Sequence, residues 1–136
     1  ELCVRNVDKP PLDFIEIESR RKQFAPGELI LTNTPTFTEK AALLARPGKS
    51  VTFVVGADTI VRIGDARYYG TSEDRDRALA ELQRLDARFL VFGRVENGRF
   101  VTLDDVELPD ALRTLCEGVD ETEFRDDVSS TALRAL

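Results

Sequence analysis

Three hydroxyl side chains and one guanidinium lie close together in the segment 127–135. Ser129, Ser130 and Thr131 are consecutive, and Arg134 follows within one helical turn. If a helix begins here, its first backbone N–H groups have no partner inside the helix and lie at the positive end of its dipole. Those N–H groups, the hydroxyls and the planar guanidinium would bind one phosphate together. The segment therefore predicts an anion site, and a plain helix cap is the alternative.

Four more residues follow predicted strands, where the loops of a parallel α/β sheet bind ligands. Lys9 precedes the stiff pair 10–11 and can act as a point charge for a phosphate. Gly56 allows a ligand to approach the backbone, and Asp58 can accept hydrogen bonds from ribose hydroxyls or amides. Arg94 begins a third loop. Taken singly, a solvated lysine and an ordinary helix cap by Asp58 are the alternatives.

Composition limits the chemistry of the chain. Its 136 residues, 42% hydrophobic and 32% charged, predict a single globular domain over 1–136 with a hydrophobic core. The sequence contains no histidine, the commonest acid/base residue and metal ligand. Cys3 and Cys116 lack the spacing of a disulfide framework or a thiolate metal site, so we expect no protein metal centre and two buried, free thiols.

Charge is distributed unevenly along the chain. The segment 104–127 holds ten acidic residues against two arginines, a local balance of −8 within a total of −6, so the remainder is +2. This balance argues against a nucleic-acid surface, and the segment is typical of a solvated face. No run resembles a membrane span or a signal peptide, so we expect a cytoplasmic protein without membrane contact.

Apolar runs alternate with helical patterns, as in an α/β fold with a mostly parallel sheet and crossover helices. Strands are predicted over 2–7, 29–31, 51–55, 89–92 and 100–103. Helices are predicted over 13–24, 38–44 and 72–86, and from Pro109 to a stop at Gly118.

Several local expectations follow from these patterns. The β-branched and aromatic run 51–55 predicts a strand buried on both faces. Helix 13–24 is expected to direct Phe14, Ile17 and Phe24 toward the core. Thr38 and Ser72 are the expected helix caps. The apolar stripe of helix 72–86 consists of Ala78, Leu79, Leu82 and Leu85. A tight hairpin turn is expected at Asn97-Gly98.

Four segments, in this order, resemble the nucleotidylyltransferase superfamily. They are NVDKPP (6–11), FVVGAD (53–58), FLVFGR (89–94) and VSSTALR (128–134). Within the superfamily, the chain looks most like the nicotinamide or nicotinate mononucleotide adenylyltransferases and their cytidylyltransferase-like relatives. The resemblance spans nearly the whole chain, and Ser-Ser-Thr-x-x-Arg is its most specific part.

The resemblance implies a Rossmann-like fold and a transfer of nucleoside monophosphate from ATP or CTP to a small phosphorylated acceptor. Mg²⁺ would accompany the triphosphate, and pyrophosphate would be released. The implied triphosphate-binding residues are Ser129, Ser130, Thr131 and Arg134. Lys9 and Arg134 would act on the phosphates during transfer, while Gly56, Asp58 and Arg94 would line the nucleotide or acceptor pocket.

One departure from the family is the absence of its His-x-Gly-His motif. By this resemblance the chain starts at the family's second strand, without the N-terminal βα unit. Two interpretations stay open: a piece of a longer enzyme, or a relative that retains only nucleotide binding or protein interaction. A sheet that lacks a strand exposes its edges, so a homo-oligomer is also expected.

Overall fold

The chain divides into two compact units, Glu1–Ala45 and Arg46–Leu136. The computed structural model describes residues 1–127. Both units combine helices with parallel strands, which confirms the α/β class. No helix within the described range has both the length and the apolar character needed to cross a membrane.

The N-terminal unit, Glu1–Ala45, consists of two helices and two very short strands. They are β1 (Leu2–Cys3), α1 (Phe14–Arg21), β2 (Leu31–Thr32) and α2 (Phe37–Leu44). The two strands pair in parallel, with Leu2 opposite Leu31. Helix α1 begins after Asp13, whose carboxylate accepts a hydrogen bond from the Glu16 N–H at 2.8 Å.

Helix α2 is capped by Thr36 rather than by Thr38. The Thr36 hydroxyl accepts from the Glu39 N–H at 3.2 Å, and the Glu39 carboxylate accepts from the Thr36 N–H at 3.0 Å. This reciprocal box satisfies two backbone donors, which a helix starting after Thr38 would leave without partners.

The expected core face of α1 is wrong. Phe14 is 76% exposed, and no residue of the helix is fully buried. Phe24 is exposed as well, because α1 ends three residues before it, at Arg21. Burial in this unit is partly polar instead: Thr32 and Lys40 are buried.

The C-terminal unit carries the larger sheet. Its described elements are β3 (Val51–Gly56), α3 (Ala57–Gly64), α4 (Ser72–Arg84), β4 (Ala87–Phe92), β5 (Arg94–Glu96), β6 (Arg99–Val101), α5 (Asp110–Arg113) and β7 (Cys116–Gly118). Three of the strands form a parallel sheet in the order β3-β4-β7. Phe53 lies opposite Phe89, which lies opposite Cys116 on the other side.

Strand β3 is an edge strand among the described residues, so the expectation that it is buried on both faces is wrong. It pairs with β4 alone, and Val54 is 66% exposed. The central position belongs to β4, where Ala87, Phe89 and Val91 are buried. An uninterrupted apolar run therefore did not distinguish an edge strand from a central one.

Helices α3 and α4 pack on this sheet, and α4 also packs on α5. The largest fully buried side chains of the unit are Phe89, Ile60, Leu79, Leu82, Leu112 and Val91. The stripe predicted on α4 is thus confirmed at its centre, while Ala78 and Leu85 are half-buried. The cap of α4 is Thr71, whose hydroxyl accepts from the Asp74 N–H at 3.0 Å, and not Ser72.

Two elements differ from the sequence prediction. Helix α3 follows β3 directly and was not predicted, and Gly118 ends strand β7 rather than a long final helix. Helix α5 stops at Arg113, and the Leu115 C=O then accepts from the Phe89 N–H at 2.8 Å, which starts the pairing with β4.

The predicted hairpin is confirmed. Asn97 and Gly98 have φ values of 49° and 78°, as a tight turn requires, but β5 and β6 form their own antiparallel pair beside the parallel sheet. Cys3 and Cys116 are free, and both are half-buried rather than buried.

Candidate functional site

The carboxyl ends of β3 and β4 meet at one edge of the parallel sheet. Gly56, the last residue of β3, lies opposite Phe92, the last residue of β4. Asp58 follows two residues after Gly56, in the first turn of α3, and Arg94 follows two residues after Phe92. Parallel pairing therefore places Asp58 and Arg94 together, as the sequence analysis expected.

Asp58 lies between two arginines. Its Oδ1 is 3.6 Å from Nε of Arg94, and its Oδ2 is 3.8 Å from Nη2 of Arg62, one helical turn along α3. Both distances exceed that of a good hydrogen bond, and all three side chains are partly exposed. Such loose ion pairs are worth about 0–1 kcal/mol each, so they position the groups without locking them.

Gly56 makes this arrangement possible. A Cβ atom at this position would lie 2.5 Å from Asp58 Oδ1 and 2.9 Å from Arg94 Cδ. Its φ of −84° is ordinary, so the requirement for glycine is close approach and not backbone conformation. The predicted role of Gly56 thus has a geometric basis in the side chains that lie over it.

A second glycine beside the site supports an aromatic ring. A Cβ at Gly93 would lie 2.4 Å from ring atoms of Phe100, which belongs to β6. The guanidinium carbon of Arg125 lies 4.8 Å from the centroid of the Phe100 ring, a cation–π distance. Arg125 also pairs with Glu121 and Asp127, and these hydrogen bonds raise its pKa.

The chain after β7 runs along the end of β4. The Val119 N–H donates to the Val91 C=O at 2.9 Å, and the Phe124 ring meets the Phe92 ring edge-on, with centroids 5.2 Å apart. Aromatic pairs in this geometry contribute about 0.5–1.5 kcal/mol beyond their buried area. Residues up to Asp127 are therefore held near the sheet edge that carries the site.

Nucleophilic cysteine chemistry is not favoured in this unit. Burial raises the pKa of the Cys116 thiol to about 11, so the thiol stays protonated near neutral pH. Its Sγ donates to the Leu112 C=O at 3.2 Å. Within residues 1–127, no three His, Cys, Asp or Glu side chains cluster as a metal site.

The predicted site residues fall into three groups. Gly56, Asp58 and Arg94 come together in the C-terminal unit. Lys9 lies in the N-terminal unit, exposed in the loop between β1 and α1. Ser129, Ser130, Thr131 and Arg134 lie outside the described residues.

Three contributors were missed by the sequence analysis: Arg62, Phe100 and Arg125. Arg62 is detectable as the i+4 partner of Asp58, but only once α3 is predicted, since strand and helix follow one another at Gly56 without a loop. The pair formed by Phe100 and Arg125 carries no spacing signal, because hairpin and tail meet only through the fold.

The acidic segment 104–127 uses many of its carboxylates locally. Asp105 accepts from the Thr102 N–H and hydroxyl and pairs with Arg99, which together lower its pKa. Asp120 accepts from the Thr122 hydroxyl and N–H, with the same effect on its pKa. These carboxylates cap turns rather than form one free acidic face.

Comparison with known proteins found no family model that matches the chain, and no curated protein or solved structure that is significantly similar to it.

Proposed function

We propose that the chain carries a nucleotidylyltransferase-type domain with a Rossmann-like sheet. It binds ATP or CTP and transfers the nucleoside monophosphate to a phosphate acceptor such as nicotinamide or nicotinate mononucleotide. The observation that supports this proposal is the cluster of Gly56, Asp58 and Arg94 at the carboxyl ends of adjacent parallel strands. Ligands of open α/β sheets bind at this edge.

In the proposed reaction, an oxygen of the acceptor phosphate forms a bond to the α-phosphorus of the triphosphate. The bond from that phosphorus to the bridging oxygen breaks, and pyrophosphate leaves with the electron pair. Such a transfer needs positioning and charge neutralisation more than covalent chemistry by the protein. Positive and hydrogen-bonding groups at one edge of a sheet suit this requirement.

The residues take the following roles in the proposal. Asp58 accepts hydrogen bonds from a ribose, and Gly56 leaves space beside it. Ser129, Ser130, Thr131 and Arg134 hold the triphosphate, and Lys9 steadies the phosphates during transfer. Mg²⁺ would be held mainly by phosphate oxygens, as is common at nucleotide sites.

The path of the chain supports this assignment. Phe124 packs on Phe92 at the end of β4, and the segment 128–134 begins four residues later. Four residues of extended chain span at most about 14 Å, so the start of that segment stays within reach of the site. The triphosphate residues and the Asp58 cluster can therefore act in one cleft.

Binding is tested by calorimetric titration of the whole chain with ATP and with CTP in the presence of magnesium. We expect Arg134→Ala to weaken nucleotide binding at least about tenfold, since hydrogen bonds to a charged group contribute about 1.5–3 kcal/mol. The control is Arg84→Ala, which removes an exposed arginine that pairs with Glu81 on α4. Absence of heat at millimolar nucleotide would overturn the proposal.

The second candidate function is nucleotide binding without catalysis, in the cytoplasm or in a larger assembly. The absence of histidine from the sequence favours it, because the family's diagnostic motif contains two. Pyrophosphate release with nicotinamide mononucleotide and ATP separates the two functions. We expect tight binding with weak or no turnover for this chain by itself, and turnover at ordinary enzyme rates would reject the second candidate.

A further inference from the structure

The carboxylate of Asp58 occupies a position between two guanidinium groups. One oxygen faces Arg94 at 3.6 Å and the other faces Arg62 at 3.8 Å. A phosphate group has comparable oxygen spacing and more negative charge, and arginine binds it with the same planar fork. The Asp58 carboxylate therefore lies where an anionic ligand group would contact both arginines.

We propose that Arg62 and Arg94 form a phosphate subsite, and that Asp58 is its built-in counter-ion, displaced when a phosphate monoester binds. The proposal rests on the proposed function, because it assigns the acceptor's phosphate to this pair. It adds Arg62 to the site and gives Asp58 a second role beside ribose binding.

Three observations carry this inference. Neither ion pair reaches hydrogen-bond distance, so Asp58 is held weakly. Arg62, Asp58 and Arg94 have side chains that are 52%, 36% and 31% exposed, so a ligand from solvent can reach them. Gly56 supplies space for the displaced carboxylate, because its missing Cβ leaves Asp58 Oδ1 directly over the backbone.

Charge favours a dianion over a monoanion at this place. Two guanidinium groups face one carboxylate, which leaves one positive charge uncompensated within the three-residue cluster. A phosphate monoester, with nearly two negative charges at neutral pH, balances both arginines once Asp58 has turned away. A carboxylate ligand would only replace Asp58 by its equal.

The substitution Asp58→Asn tests the counter-ion role. It keeps the size of the side chain and removes the competing charge. We expect inorganic phosphate to bind about three- to tenfold more tightly to this variant, measured by calorimetry or by phosphorus NMR at low salt. Unchanged or weaker phosphate binding would overturn the proposal.

The arginines are tested by Arg62→Ala and Arg94→Ala, each expected to weaken phosphate binding at least fivefold. Arg84→Ala is again the matched control, since Arg84 is an exposed helical arginine that pairs with an acid at i−3. The double variant Asp58→Asn with Arg94→Ala is expected to lose the gain of the single Asp58→Asn variant. A gain that survives in the double variant contradicts the subsite.

The source of the phosphate is resolved by comparing nicotinamide mononucleotide with ATP. If the subsite takes the acceptor, Arg62→Ala weakens mononucleotide binding and leaves ATP binding within about twofold; the reverse pattern assigns the subsite to the triphosphate and overturns the acceptor assignment. ATP binding without the Asp58→Asn gain defeats this inference alone. The gain without any nucleotide binding defeats the proposed function and leaves a phosphate subsite.

Discussion

The two units bury their apolar side chains to very different extents. In the C-terminal unit, Phe89, Val91 and four other large side chains are almost completely removed from solvent. In Glu1–Ala45, all of which the structure describes, Ala41 is the one hydrophobic residue in the buried core. Strand length explains part of the contrast: β3 and β4 pair over six residues, while β1 and β2 pair over two.

This difference teaches where stability and site geometry come from. Burial contributes roughly 25 cal/mol per Å² of apolar surface, so the C-terminal unit gains most from its core. The N-terminal unit depends more on caps and on the Lys40–Glu1 ion pair, at 2.7 Å. The candidate site has its described cluster on the unit with the larger core, which suits a site that needs fixed geometry.

The largest expected effect is that of Phe89→Ala. Phe89 is 1% exposed at the centre of β4, and removing such a ring costs about 3–5 kcal/mol through lost burial and a cavity. Urea unfolding followed by circular dichroism measures the change in the free energy of unfolding. The matched control is Phe14→Ala in the exposed position on α1, expected to cost less than about 0.5 kcal/mol. Equal losses for the two variants would remove the contrast between the units.

Gly93→Ala is expected to destabilise the C-terminal unit by about 1–3 kcal/mol. The new Cβ would lie 2.4 Å from the Phe100 ring, which also packs under Arg125, so ring and hairpin must shift. Gly56→Ala is the comparison, because its Cβ meets the flexible ends of Asp58 and Arg94. Thermal unfolding is expected to show a smaller loss for Gly56→Ala, while its phosphate or nucleotide binding falls. A larger stability loss at Gly56 would contradict this difference.

In the N-terminal unit, Glu1→Gln is expected to cost about 1–2 kcal/mol. The substitution leaves the Lys40 ammonium buried without its carboxylate partner, and an unpaired buried charge is destabilising. The double variant Glu1→Gln with Lys40→Met removes both charges and should recover part of the loss. Hydrogen exchange of α2 amides measures the effect within this unit. No recovery in the double variant would show that the pair acts through geometry and not charge.

Sequence patterns predicted the elements whose local signals are strong. The stripe Leu79–Leu82 on α4 and the Asn97-Gly98 turn agree with the structure, because helical periodicity and positive φ are local properties. Strand β7 was missed since its three residues, Cys116 to Gly118, become a strand only through pairing with β4. No local pattern carries that information.

The site was predictable to the same extent. Gly56, Asp58 and Arg94 were identified from their position after strands, which is a property of parallel topology. Arg62 and the close approach of side chains over Gly56 were not identified, because helix α3 has no polar side-chain cap to signal its start. The cap residue of α3 is Gly56 itself.

The smallest expected effect concerns pH. Hydrogen bonds from the Thr36 N–H and hydroxyl lower the pKa of Glu39 from its ordinary value of 4.5, so the folded state favours the ionised carboxylate. The stability it contributes is present above pH 4.5 and is lost as the pH falls through the lowered pKa. Since Glu39 is exposed, solvent screening limits this to about 0.5 kcal/mol or less. Hydrogen exchange of α2 in Glu39→Gln should therefore show lower protection than the unsubstituted chain at pH 7, and protection closer to it at pH 3, whereas the amides of α4 should not differ between the two proteins at either pH. A difference in α4 would mean that the capping box of the N-terminal unit also supports the larger core, and the two units would then not be energetically separate.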